Sequence, residues 1–140
     1  MDQAFKDVKI DRIPCLNFDL SDKRIFRIND QYKCIELTAK TIGCAMAVQE
    51  QLGNGFQELI YQKKLEVEMR MVGICFTREH EMPIFYIDEQ IRTRRIDFLV
   101  EGNISVELKA ITMLEDVHLA QAINYLEACN LEIGLLINFG

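Results

Sequence analysis

Two runs in the middle of the chain, Ile96-Asp97-Phe98-Leu99-Val100 and Ile104-Ser105-Val106-Glu107-Leu108-Lys109-Ala110, put an apolar residue at every second position. That period of two is the signature of strands with one buried face. Between them stand only Glu101, Gly102 and Asn103, so the strands must form a tight antiparallel hairpin. Residues directly opposite share a face. The apolar sets match only if Val100 lies opposite Ile104 across a three-residue loop, in which Gly102 and Asn103 suit a positive φ. A two-residue loop would set the wrong parity.

The same register dictates the other face, where Asp97 comes opposite Glu107 and Arg95 opposite Lys109. Carboxylates so placed have Cβ atoms about 4.5–5.5 Å apart and repel unless something compensates. A divalent cation is the direct compensation, and oxygen donors without His or Cys point to Mg²⁺ or Mn²⁺, which need only a couple of protein carboxylates. Lys109, two positions beyond Glu107, sets an ammonium beside that pair.

Around the hairpin, apolar residues at Ile35, Ala39, Ile42, Ala45 and Val48 predict a helix from about 34 to 52, stopped by Gly53-Asn54-Gly55. Tyr61, Leu65, Met69 and Val72 form the seam of a second helix over about 56–71, with Glu58 on that seam in the first turn. Short strands are expected at 74–79 and 84–88, separated by His80-Glu81-Met82-Pro83. Thr112 to Glu115 reads as a capping box opening a helix to about Cys129, and residues 132–139 as a buried final strand. Residues 1–33 show no sustained period and are set apart as an extension of unknown role. The domain proper is 34–140.

With 140 residues, 49% of them apolar, the chain is expected to build one core. No apolar stretch approaches the about 20 residues of a membrane span, and the first residues lack a signal-peptide centre. Five unpaired-looking cysteines read as free thiols of a cytoplasmic protein. A net charge of −6 excludes binding to nucleic acid by bulk charge alone. Anions must be met locally, and within Arg92, Arg94 and Arg95 the parity selects Arg95 as the phosphate-contact candidate, with Arg94 on the opposite face. Tyr61 reads as core, Gly55 as a helix-entry turn, and His118 as a helix-surface histidine sharing a face with Gln121.

Asp97 followed after nine residues by Glu107-Leu108-Lys109 resembles the D…ExK signature of the PD-(D/E)XK nuclease superfamily. Gly55-x-x-Glu58-x-x-Tyr61, His118, Gln121, Asn124-Tyr125-Leu126 and the ending Leu136-Ile137-Asn138-Phe139-Gly140 resemble the family of GxxExxY proteins. Gln121-x-x-x-Tyr125 is similar to the helix motif of RecB-like nucleases. The resemblance implies an α/β restriction-endonuclease-like mixed sheet flanked by helices. It implies Mg²⁺- or Mn²⁺-dependent hydrolysis of DNA or RNA, with Glu58, Asp97 and Glu107 as metal ligands and Asp97, Glu107 and Lys109 catalytic. Gln121 would be a substrate or site-organising group, joined by Tyr125, Arg95 and His118 as substrate contacts. The alternative class is a catalytically silent nuclease-fold module that binds nucleic acid or a protein partner. A homo-oligomer is a further reading of partnership.

Overall fold

The computed structural model describes residues 15–19, 24–27, 35–131 and 133–140. Helices α1 (Ile35–Leu52) and α2 (Glu58–Met71) precede the long hairpin of β3 (Phe76–Tyr86) and β4 (Glu89–Val100). Strand β5 (Ile104–Lys109), helix α3 (Asp116–Ala128) and strand β6 (Ile133–Asn138) follow. Two earlier strands, β1 (Cys15–Asp19) and β2 (Arg24–Arg27), complete one mixed sheet of order β2-β1-β6-β5-β4-β3. The fold is thus α/β and restriction-endonuclease-like, a mixed sheet with flanking helices. The segment set apart as an extension adds two strands to it, through parallel pairing of β1 with β6.

The central hairpin has the expected register, with Val100 opposite Ile104 and Phe98 opposite Val106. Positive φ falls at Glu101 (49°) and Gly102 (71°) rather than at Asn103, whose N–H instead closes the turn onto the Val100 carbonyl at 3.0 Å. Strands β5 and β6 are parallel, and the connection such a pair requires is α3.

The two sheet faces are covered by different helices. Tyr61, Leu65 and Met69 of α2 and Cys44, Ala45 and Val48 of α1 pack on Phe98, Val100, Val106, Leu108, Leu135 and Ile137. On the other face α3 rests on β6, where Leu126 lies over Gly134 so closely that a Cβ there would come within 2.6 Å of it. The α1 seam is rotated from its expected position. Ile35 and Ala39 are exposed, while Thr38 and Thr41 are buried. Thr41 is tolerated because its hydroxyl donates to the Leu37 carbonyl at 2.8 Å, leaving its methyl to pack. Val72 likewise leaves the α2 seam, as it caps the helix and is exposed.

The two strands expected at 74–79 and 84–88 are one strand, β3, which runs through Pro83. Pro83 is permitted because β3 is the edge of the sheet, where a missing N–H leaves no inner neighbour unpaired. Helix α3 also begins later than the expected capping box: its N-cap is Glu115, not Thr112.

Candidate active site

The entry to α2 is built first by Gly55 and Tyr61. Gly55 takes φ 100°, which a side chain would resist, and turns the chain into the helix. Tyr61 is fully buried, stacks on Phe139 at 4.5 Å, and its hydroxyl donates to the Gly53 carbonyl at 2.6 Å while accepting the Phe56 N–H at 3.3 Å. The turn is therefore held from below, with Glu58 opening the helix above it. Glu58 is solvent-exposed at its outer side. Partial burial raises its pKa, helped by the Asp97 carboxylate and opposed by Lys109, so it lies within the field of the hairpin residues.

The hairpin supplies the centre. The β4–β5 ladder runs from Val100↔Ile104 to Phe98↔Val106, and beyond it a side chain takes over: the Leu108 N–H donates to Asp97 Oδ2 at 2.8 Å. At the same level the β3–β4 ladder skips Glu79 and Asp97, and Glu79 takes φ 51°. The carboxylate of Asp97 thus sits in a gap between strands. Burial raises its pKa, against the Leu108 N–H, Arg94 and Lys109, which favour the charged form. Glu107 is buried further, and burial together with Asp97 pushes it up to about 7 despite Arg94 and Lys109.

This break also overturns the parity argument for the arginines. Phe98 faces α2 with Arg78, which binds Gln62 Oε1 at 2.6 Å and Glu66 Oε2 at 3.2 Å. Arg94, of the same parity, is on the opposite face, its guanidinium 3.2 Å from Glu107 Oε1 and 4.1 Å from the centre of the Tyr125 ring. A left-handed residue in one strand and an unpaired residue in the other interrupt the period of two. Arg95 is exposed and pairs with Glu81 across β3, away from the cleft.

Glu107, Lys109, Arg94, His118, Gln121 and Tyr125 line one cleft between the sheet and α3. The Glu115 N–H donates to His118 Nδ1 at 2.9 Å. With Nδ1 accepting that bond, Nε2 is the ring nitrogen left to donate into the cleft. Lys109 is anchored by its neighbours. The Phe139 N–H donates to its carbonyl at 2.8 Å, and buried Asn138 accepts from the Ile111 and Gly140 N–H groups at 3.0 and 3.1 Å while donating to the Ile111 carbonyl at 3.0 Å.

Among the described residues no three His, Cys, Asp or Glu side chains converge closely enough to hold a metal ion. The donor chemistry nonetheless fits a hard dication bound mainly by two groups. Asp97 and Glu107 are half-buried carboxylates, Asp97 raising the cost of ionising Glu107, and Mg²⁺ keeps several waters of its own. Glu58 joins that pair by its field rather than as a convergent third ligand.

Sequence reasoning set Arg94 on the wrong face and, though it quoted Asn138 within the closing motif, gave it no role. Asn138 carried a signal, being polar inside an otherwise apolar final strand. Arg94 carried none, because the face switch depends on Glu79 in the neighbouring strand.

Compared with known proteins, residues 35–140 match the family model of the PD-(D/E)XK nuclease superfamily. No curated protein and no solved structure matches the chain. Among the described residues no helix is long and apolar enough to cross a membrane.

Proposed function

Because the chain belongs to the PD-(D/E)XK nuclease superfamily, we propose that its cleft hydrolyses phosphodiester bonds of DNA or RNA with Mg²⁺ or Mn²⁺, and that Gly55-x-x-Glu58-x-x-Tyr61 marks a GxxExxY-type member. The observation that supports this most is the meeting of Asp97, Glu107 and Lys109 where β4 and β5 part, with Glu58 in their field. Carboxylates gathered beside one another in this way suit a cation-binding centre.

Asp97 and Glu107 would hold the cation, and Glu58 would add charge from the start of α2. When bound, a dication polarises the phosphate and lowers the pKa of a water it carries. Lys109, on the strand end clamped by Asn138, holds its ammonium for the charge that gathers on the phosphate oxygens. His118 Nε2–H and the Gln121 amide donate to substrate from the α3 wall, and Tyr125 forms the apolar floor between them. The free thiols of Cys44, Cys75 and Cys129 accord with a reducing, cytoplasmic setting.

The second reading, a silent nuclease-fold module, is favoured by the net charge of −6, whose sign opposes phosphate. The deciding experiment is cleavage of a panel of single- and double-stranded DNA and RNA with Mg²⁺ or Mn²⁺, wild type against Lys109→Ala. The expected result is metal-dependent cleavage that falls about 10²–10³-fold in the variant, with cation binding intact. If the wild type cleaves nothing on the panel, the silent module replaces the enzyme.

A further inference from the structure

Arg94 has a built environment that the reading above leaves unused. Its guanidinium carbon lies over the Tyr125 ring, 4.1 Å from the centre, and one terminal nitrogen meets Glu107 Oε1 at 3.2 Å. Its Nε is buried and has no hydrogen-bond partner among the described residues. A buried N–H without an acceptor is costly, and an arginine fork is shaped for two oxygens of one carboxylate or phosphate. Here one arm is spent on a carboxylate and an inner donor is unspent. The side chain under the guanidinium is aromatic, so the cation keeps one partner when the carboxylate lets go.

Resting on the nuclease reading, we infer that Arg94 is the residue of this cleft that binds the substrate phosphate, exchanging Glu107 for a phosphate oxygen when a cation occupies the carboxylates. Before loading, the guanidinium neutralises Glu107. A dication on Glu107 competes for the same oxygen and repels the guanidinium, which then presents its donors, Nε–H included, to the anion brought by the substrate. Arg94 is in this sense a placeholder for the cation and a ligand for the phosphate, and no bond is made or broken in the exchange.

Three consequences separate this from an ion pair that merely holds α3 to the sheet. Arg94→Gln should bind Mn²⁺ alone several-fold more tightly in calorimetry, because Glu107 has lost its internal competitor. Binding of a fluorescein-labelled oligonucleotide, read by anisotropy with Mg²⁺ in a Lys109→Ala background so that cutting is slow on the timescale of the reading, should weaken about ten-fold. The slope of log affinity against log salt should shrink by about one, the mark of one lost phosphate contact. Arg94→Lys keeps the point charge but not the fork or the stacking, so it should retain the slope while losing affinity. It carries the test alone if Arg94→Gln does not fold, since unchanged affinity in Arg94→Lys overturns the assignment. A wild type that binds and cleaves, beside an Arg94→Gln with unaltered slope and Mn²⁺ affinity, overturns the Arg94 role and spares the nuclease. A wild type that neither binds nor cleaves any strand overturns both.

Discussion

Glu107 is held at about 7 by burial and by Asp97, whereas an ordinary glutamate titrates near 4.5, the value expected once the chain unfolds. Between those values the folded chain keeps a proton that the unfolded chain has released, so raising the pH costs stability across that window. The metal-free protein should therefore be most stable toward the acid end of the window and weaker above about 7, by at most ~3 kcal/mol and less after solvent screening at the open cleft. Asp97 and Glu58 shift the same way and add to the slope. Urea midpoints in EDTA across this range should flatten in Glu107→Gln, and an unaltered slope there would assign the effect to other groups. Glu58 makes a separate point at the same scale. Since it lies at the exposed start of α2, Glu58→Gln should leave folding within about 0.5 kcal/mol of wild type while cation affinity falls. Loss of stability with cation affinity unchanged would reduce it to a charge favoured by the helix dipole.

Among the elements, the ends of β5 and β6 decide where Lys109 stands. Asn138 makes two bonds from inside β6 to Ile111, in the segment that follows Lys109, and accepts a third from the Gly140 N–H, so Asn138→Ala should destabilise the fold by about 2–4 kcal/mol through unpaired buried backbone groups. Thermal unfolding checks the first part. Cleavage by the fraction that remains folded checks the second, because a displaced β5 end should lower turnover as well. Helix α3 sits on an equally local feature, Gly134, whose missing side chain leaves room for the Leu126 methyls. The hairpin elements were legible from their period of two and their three-residue loop, since alternation and parity leave one register. Strand β3 was not, because Pro83 is a breaker in a central strand and harmless on an edge, and edge position is a property of the sheet.

At the scale of the whole molecule, a cation that binds only the native state adds RT ln(1 + [L]/Kd), about 1.4 kcal/mol at ten times Kd. Mg²⁺ or Mn²⁺ should raise the melting temperature of the wild type. Asp97→Asn, which keeps an oxygen for the Leu108 N–H, should lose most of that rise, and a full rise in the variant would place the ion elsewhere. The sequence by itself determined the order of the helices and the central strands, the Val100–Ile104 register and the nearness of Asp97, Glu107 and Lys109, because these follow from periodicity and from chain neighbours a few residues apart, while the α/β class came with the family resemblance. It also marked Tyr61 and Gly55 as structural, from an apolar seam and a turn. Only the tertiary structure decided which arginine enters the cleft, that His118 caps α3, that Asn138 clamps the end of β5, and that β1 joins the sheet beside β6. Each of these depends on a partner distant in sequence or on a break in period imposed by a neighbouring strand, and a one-dimensional pattern carries no record of either.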